Sequence, residues 1–574
     1  MIEHYAAARN ELTGPGGQFE LTRINVRGAD ILAYKTAPPH MRFLWETSAA
    51  HGDKDYIVYE DERYTYSQIH EQVRKLAAYL VAHGAGPRTR VAASMRNYPE
   101  WVVAYWATVS IGAALVGMNA WWTAAEMEYA LNDSNPVVLL ADDERLERLS
   151  HLPARPQMHV VAVRSDREVP QNGARWSDVL ATADPGSLPT VDIDPDDDAT
   201  IFYTSGTTGF PKGAQLTNRG SVTNILNLIA MSGAVALAEQ KGIAAGDIQP
   251  SASAPANVPA QACFFAPTPL FHVTACNCIL HPATLGGAKL VLMYKWDPGR
   301  ALELIEREKV TSFSGVPTMS RELLLHPDWG KRDTSTLQGM GGGGAALQPD
   351  LVGKIADALK GSGGQPSTGY GMTETHGIIT ANSARWFIAK PASCGPLVPT
   401  LEAKLIDEDG RDVPAGPDAV GILCVKGAVT IKGYLNREEA TNETIKDGWL
   451  NTGDVARIDE DGFVFLVDRA KDMVIRGGEN VYCSEVETAI YHHPAIAEAA
   501  VFGVPDERLG EEVAAAIVLQ PGKSLGEDEL REFLAVTLAK HKIPSRIWFR
   551  TEALPRNANG KFLKKDLRKE LTGE

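Results

Sequence analysis

The sequence predicts an α/β protein built from several units, and three observations carry that expectation. Short, β-branched apolar runs alternate with helix-spaced segments along most of the 574 residues. Near residue 400 the texture turns rich in Gly, Pro and Asp, as expected of a β-rich unit. Beyond residue 471 a helix signal and two strand-like runs suggest a compact α+β unit. At about 150 residues per domain the length predicts three to four structural units. Hydrophobic residues make up 44% and charged residues 22%, which excludes a disordered, collagenous or small disulfide-stapled chain.

The elements follow in chain order. The opening MIEHYAAARNELTG carries early charges and no apolar run, so no signal peptide is expected. Residues 101–125 contain no charge and are long enough for a bilayer, but Thr108, Ser110, Gly112, Gly117 and Asn119 interrupt them. They read as a buried helix over 101–111, a turn, and a short strand over 114–118, with no transmembrane segment. Residues 136–141 (PVVLLA), 289–293 (KLVLM) and 310–314 (VTSFS) read as parallel strands buried on both faces. Between the last two, Leu302, Ile305 and Val310 fall at helical spacing in 298–309. A helix is expected after Asn218, with Val222, Ile225, Leu226 and Ile229 on one face. Residues 232–261, rich in Ala, Ser and Pro with little periodicity, read as a mobile surface insertion. Farther on, a strand is expected over 421–425. Ser484 and Glu487 have the spacing of a capping box opening a helix. Strands are expected over 499–504 and 513–519, and a last helix over about 527–539.

The charge balance narrows the partners. Basic residues number 56 against 72 acidic ones, a net charge of −16 and a pI near 5.4, which argues against a nucleic-acid binder. Six cysteines in so long a chain do not form a disulfide framework, and Cys276 and Cys278 have no second pair to complete a zinc set. A reduced cytoplasmic setting is expected.

Four motifs carry chemistry. In Tyr203-Thr204-Ser205-Gly206-Thr207-Thr208-Gly209-Phe210-Pro211-Lys212-Gly213 a strand feeds glycines and hydroxyls that end on a lysine. Glycines let backbone N–H groups approach an anion, hydroxyls add donors and the lysine adds a full charge: a phosphate cradle. It is not a Walker loop, because Lys212 lies between Pro211 and Gly213 and a second strand follows. Taken alone, the run could also be a Gly/Thr-rich turn. In Tyr370-Gly371-Met372-Thr373-Glu374 the tyrosine offers a flat face for a base, Thr373 a hydroxyl for a phosphate, and Glu374 a carboxylate suited to Mg²⁺ held between phosphates. Thr452-Gly453-Asp454 places a carboxylate fifteen residues before Arg469, and carboxylates suit the vicinal hydroxyls of a ribose. Pro555-Arg556-Asn557-Ala558-Asn559-Gly560-Lys561 sets a lysine in a turn-like segment ahead of an ordinary basic tail. Singly, each of the last three also has a plain structural reading.

Together, in this order, the motifs YTSGTTGFPKG, YGMTE, TGD, DRAKDMVIRGGENVY (468–482) and PRNANGK closely resemble those of the adenylate-forming superfamily, which includes acyl-CoA synthetases, amino-acid adenylation domains and beetle luciferase. The resemblance runs from about Arg42 to Arg568. It implies a large N-terminal domain (1–470) of two α/β subdomains plus a β-rich subdomain at about 395–470. A hinge at Lys471 would join this to a small mobile α+β C-terminal domain (471–574). It implies two half-reactions, in which a carboxylate attacks the α-phosphate of Mg·ATP and a thiol then displaces AMP. Carried over, Thr204, Ser205, Gly206, Thr207, Thr208, Gly209 and Lys212 would hold phosphates. Gly343, Gly344 and Ala345 would line the adenine slot, with Tyr370 stacked on the base. Thr373 would meet the α-phosphate, Glu374 (with Thr204) the Mg²⁺, and Asp454 with Arg469 the ribose. Lys561 would bridge the carboxylate and α-phosphate, Gly477 and Gly478 would line the thiol tunnel, and His272 would line or gate the acyl pocket. Thr368-Gly369 precedes Tyr370 where the family often carries Gln or Glu.

The same resemblance implies the thiol. Amino-acid adenylation domains place an aspartate after their pocket phenylalanine to pair the substrate amine, whereas Phe271 is followed by His272. The expectation is therefore an ATP-dependent carboxylate–CoA ligase acting through an acyl-adenylate. Its cofactor would be Mg²⁺, its co-substrates ATP and coenzyme A, and its acid a medium- or long-chain fatty acid or similar hydrophobic acid. The alternatives are an aromatic or steroid-derived acid, or transfer to a carrier protein. A homodimer is left open.

Overall fold

The computed structural model describes residues 2–170, 172–204, 211–249, 258–344, 347, 349–414, 416, 419–469, 472–477, 479–556 and 562–573. It is an α/β protein in which two large sheets, a smaller antiparallel one and a C-terminal one are each covered by helices or by one another. The first sheet has seven strands in the order Lys212–Thr217, Asp198–Thr204, Ala114–Gly117, Arg90–Ser94, Val138–Asp142, His159–Val163, Gly173–Arg175. Every pairing is parallel except Asp198–Thr204 with Lys212–Thr217. The uncharged stretch explains itself here: all of the helix Pro99–Ser110 is buried, and the strand Ala114–Gly117 that follows is central.

The second sheet has eight strands: Thr380–Ser383, Gln365–Tyr370, Gly339–Gly342, Ser312–Gly315, Cys263–Ala266, Lys289–Leu292, Asp55–Tyr59, Glu62–Thr65. From Cys263–Ala266 the chain moves to Lys289–Leu292 on one side and then to Ser312–Gly315 on the other. That leaves a topological switch point, where the crevice beyond the strand ends is the place for a ligand. Asn97 ties the two sheets: its Nδ2 donates to the Thr268 carbonyl and its Oδ1 accepts from Leu270 N, both at 2.9 Å.

An antiparallel sheet follows, Gly395–Pro396, Phe463–Arg469, Trp449–Ile458, Val420–Gly427 and Leu401–Ile406, with Ile445–Lys446 beside the third. The C-terminal sheet pairs Glu479–Val481, Val474–Arg476, Gly510–Leu519 and Ile496–Asp506, with Arg546–Arg550 parallel to Gly510–Leu519. Its own apolar core is built on Val486, Ile490, Val501 and Ile517.

Four expectations need correction. First, residues 232–245 are not a surface insertion. They complete a 28-residue helix, Asn218–Ala245, capped by the Thr217 hydroxyl on Gly220 N and closed by left-handed Gly246 (φ 81°). Its inner face here is Ala234, Ala238 and Gly242, small residues four apart, against which the N-terminal helix Ile2–Thr13 lies. Residues 250–257 of the expected insertion fall outside the described residues. The helix is long and apolar enough to cross a bilayer by length and composition, and 56% of its most apolar stretch is buried. Second, Ile229 stands on the exposed side of that helix, while Val222 and Ile225 are buried. Third, Ser484 and Glu487 form no capping box: the helix Cys483–Tyr491 has Tyr482 as its N-cap with no side-chain bond. The Ser484 hydroxyl donates instead to the Val467 carbonyl, and Glu487 accepts from Val501 N, because both side chains are used to hold neighbouring strands. Fourth, the helix from Glu527 ends at Ala535, after which Val536 is exposed.

Candidate active site

The loop expected to cradle phosphates joins two antiparallel strands, with Thr204 directly opposite Lys212. Ser205, Gly206, Thr207, Thr208 and Gly209 lie outside the described residues, as do Ala345, Lys471, Gly478 and Lys561. The Lys212 ammonium sits 5.0 Å from the centre of the Tyr434 ring, and the Tyr434 hydroxyl donates to Glu374 Oε1 at 2.8 Å. Two motifs about 160 residues apart in sequence thus meet across one aromatic ring, which the cation's attraction to the ring face supports. Tyr434 reaches this place because residues 432–435 run beside the strand Lys212–Thr217: Gln215 N donates to Gly433 O, Leu435 N to Gly213 O, and Lys432 N to Gln215 O. Burial and the adjacent Glu374 carboxylate push the Tyr434 hydroxyl far up, so it stays a donor.

Glu374 lies in the short helical turn Thr373–Thr375 and is buried, while Thr373 is half-buried beside it. His376 closes the turn in a left-handed conformation (φ 56°). One His376 nitrogen, Nε2, accepts from Thr217 N at 2.8 Å, and the other, Nδ1, bonds to the Val429 carbonyl at 2.7 Å. Accepting at one nitrogen and donating at the other requires the neutral ring, and burial pushes its pKa down to about 4. A Cβ at Gly220 would fall 2.2 Å from this imidazole, so the helix start must be glycine for the turn to dock. Glu374 Oε1 holds the Tyr434 proton, and the remaining lone pairs of the carboxylate suit a hard cation such as Mg²⁺.

Asp454 and Arg469 are cross-strand partners in the hairpin Trp449–Ile458 and Phe463–Arg469, which explains their fifteen-residue separation. Arg469 Nε lies 3.1 Å from Asp454 Oδ1, and the Tyr370 hydroxyl donates to Asp454 Oδ2 at 2.6 Å. The Thr452 hydroxyl, which donates to Leu423 O, accepts from Asp454 N and holds the turn. Tyr370 is raised well above the ordinary phenol range, first by burial and then by the Asp454 carboxylate. Each Asp454 oxygen keeps a free lone pair for a vicinal diol.

Gly343 and Gly344 follow the strand Gly339–Gly342; Gly343 N donates to Gly315 O at 3.1 Å, and Gly344 is left-handed (φ 80°). Earlier in the same run, a Cβ at Gly341 would fall 1.9 Å from the Ser367 carbonyl, so the four glycines divide into two that let strands close and two that shape a loop.

From these glycines and Tyr370 a cavity of about 290 Å³ extends along Ser367–Gly371 and the long helix to Tyr5, Met231 and Trp386. Its walls include Val273 and Thr274 from the switch-point crevice. His272, the residue before them, is half-buried against Phe271, with ring centres 4.7 Å apart. Burial lowers its pKa to about 4, and its Nε2 has no hydrogen-bond partner among the described residues. Among the expected thiol-tunnel glycines, Gly477 is left-handed (φ 61°) and its N donates to Leu509 O. The C-terminal unit meets the body at Tyr491, whose ring lies 5.6 Å from the Arg321 guanidinium, and at Asp468, which accepts from Arg469 N and Cys483 N.

Tyr434, Tyr5 and Trp386 were not legible as site residues. Tyr434 belongs to none of the motifs, and Tyr5 and Trp386 are single aromatics whose neighbours in space come from distant segments.

The pattern that describes the AMP-binding enzyme family matches residues 44–435, and that of the AMP-binding enzyme C-terminal domain matches residues 485–561. A feruloyl-CoA synthase from Amycolatopsis is 35% identical over 508 residues, covering 88% of this chain and 93% of its own. A long-chain-fatty-acid–CoA ligase from Bacillus subtilis (strain 168) is 32% identical over 553 residues, covering 92% and 94%. Among solved structures, ATP-bound MatB from Rhodopseudomonas palustris is similar with a TM-score of 0.77 at 29% identity, covering 92% of this chain and 98% of that one. The o-succinylbenzoate CoA synthetase MenE from Bacillus subtilis, in complex with its acyl-adenylate intermediate, is similar with a TM-score of 0.74 at 28% identity, covering 93% and 98%.

Proposed function

The chain belongs to the AMP-binding, adenylate-forming enzyme family as an AMP-forming acid–thiol ligase that uses ATP, Mg²⁺ and coenzyme A, and from that premise we propose that its acid is a hydrophobic monocarboxylic acid. The observation that carries the reading is the continuity of the site through Tyr370, which hydrogen-bonds Asp454, the ion-pair partner of Arg469, and itself lines a cavity whose walls farther on include the apolar side chains of Met231, Val235 and Trp386. The substrate carboxylate attacks the α-phosphorus of ATP and pyrophosphate leaves with the P–O bond electrons. The CoA thiolate then attacks the acyl carbon and AMP departs.

The residues divide this work. Asp454 and Arg469 hold the ribose and Tyr370 the base, beside Gly343, Gly344 and Ala345. Lys212, with Thr204 and the 205–209 run, neutralises the phosphates, and Thr373 donates to the α-phosphate. Glu374, with Thr204, would hold Mg²⁺, which neutralises charge on the phosphate oxygens when bound. Lys561 supplies a preorganised cation where charge builds on the α-phosphoryl oxygens. Lys471 serves as the hinge between half-reactions, Gly477 and Gly478 leave room for the pantetheine arm, and neutral His272 lines the entry to the acyl pocket.

Within hydrophobic acids, the rings of Tyr5 and Trp386 in the wall of a cavity of about 290 Å³ favour a compact substrate, a medium chain or an aryl acid, over a long extended chain. The test is a panel of aliphatic and aryl acids scored by pyrophosphate release with ATP and Mg²⁺, with CoA and an acyl-carrier protein as alternative thiols. Hydrophobic acids are expected to turn over with CoA. Turnover confined to polar or amino acids, or to the carrier, would overturn the proposal.

A further inference from the structure

We propose that the N-terminal helix Ile2–Thr13 is the end wall of the acid cavity and that Tyr5 sets the length of acid admitted; this rests on the reading of the cavity as the acid's site. The helix precedes residue 44, where the match to the family pattern begins.

The long helix gives the cavity its axis. Near the polar end, Asn224 Oδ1 accepts from Ile378 N at 3.1 Å, just beyond the turn that carries Glu374. Met231 is seven residues farther on, roughly 10 Å along the helix at its rise per residue. There the Tyr5 hydroxyl donates to Met231 Sδ at 3.2 Å, and the Tyr5 ring lies 5.8 Å from that of Trp386. Trp386 follows the strand Thr380–Ser383, whose Ser383 pairs with Ser367, three residues from Tyr370 on the neighbouring strand. Two independent routes, along the helix and along the strand pair, therefore end at the same aromatic contact, and both rings line the cavity.

Tyr5 is held there by the helix around it. His4 Nε2 lies 2.7 Å from Asp247 Oδ2, just past the C-terminal end of the long helix, and Glu11 pairs with Lys241 in its last turns at 2.7 Å, so one face of the N-terminal helix is fastened at two points two turns apart. The Tyr5 hydroxyl is buried, yet its acceptor is a thioether, a weak one, so the hydrogen bond alone gives no strong reason for a tyrosine. What the residue supplies is a ring that fills the end of the cavity.

The experiment compares full-length wild type, Tyr5→Ala and Tyr5→Trp on a ladder of straight-chain and ω-phenyl acids, reading kcat/KM by pyrophosphate release with ATP, Mg²⁺ and CoA. Removing the ring is expected to move the optimum to longer acids, with about a four-fold gain for each methylene newly buried. The larger indole is expected to move it to shorter ones. The opposite directions distinguish a wall from a stabilising contact, since a merely structural role scales all acids together, and Tyr5→Trp keeps the test open should Tyr5→Ala fold poorly. Coincident or uniformly scaled profiles would overturn the role of Tyr5 alone; a wild type that turns over no acid of the ladder would overturn the reading of the site.

Discussion

The two ends of the cavity are built by different rules. At the polar end, Tyr370, Asp454, Arg469, Glu374 and Tyr434 form direct hydrogen bonds or ion pairs from four separate segments. At the apolar end, Tyr5, Met231, Val235 and Trp386 meet by shape, with one weak O–H···S contact. A polar site needs particular donors and acceptors, because a buried polar group left unmatched costs about 1–3 kcal/mol. An apolar wall needs only volume, and many residues supply it. Changes at the first end should therefore cost catalysis on every acid, and changes at the second should redistribute activity among acids.

The sharpest test of that contrast is Glu374→Gln, which preserves size and removes the charge suited to Mg²⁺. Adenylation should fall by more than ~10² for all acids alike, since a metal clamp supplies several kcal/mol. Retention of normal rates at limiting Mg²⁺ would break the assignment.

Next comes pH. His376 has a pKa of about 4 in the fold against an ordinary 6.5, because burial disfavours its charged form. Between those values the unfolded chain binds a proton that the folded chain refuses. Its contribution is therefore complete above about pH 6.5 and is lost as the pH falls towards 4, by ~2 kcal/mol at pH 5. Thermal unfolding between pH 7 and 5 reads this, and His376→Gln should flatten the dependence. An unchanged slope would show that the turn carrying Glu374 is not secured by the neutral ring.

A smaller effect is expected at the ribose. Asp454→Asn keeps an acceptor for Tyr370 and loses the charge facing Arg469, so KM for ATP should rise about ten-fold, the scale of one hydrogen bond to a charged group. A change confined to the acid's KM would mean that the carboxylate faces the other substrate.

Smallest is Tyr434→Phe, which retains the ring under Lys212 and removes one hydrogen bond to Glu374. A three- to ten-fold loss of adenylation is expected, at about 1 kcal/mol for such a bond, with a raised requirement for Mg²⁺. Loss restricted to bulky acids would instead place Tyr434 with the apolar wall and dissolve the distinction between the two ends.

The sequence by itself determined the α/β class, some of the buried strands of the two large sheets and the polar motifs, because each of these demands residue types at fixed spacing. Buried parallel strands must be continuously apolar, as at Val138–Asp142 and Lys289–Leu292. A carboxylate and a guanidinium facing across a hairpin must be a set number of residues apart, as Asp454 and Arg469 are. Only the tertiary structure decided the rest. Tyr434 gains its role by running beside the strand Lys212–Thr217, a pairing between segments over 200 residues apart in sequence. Residues 232–245 conceal their periodicity because their buried face is Ala234, Ala238 and Gly242, which differ too little from their neighbours in hydrophobicity to mark a stripe. They become a helix wall because small side chains let the N-terminal helix lie close. Tyr5 and Trp386 meet only because those helices and the strand Thr380–Ser383 converge, and long-range packing of this kind leaves no local pattern in the chain.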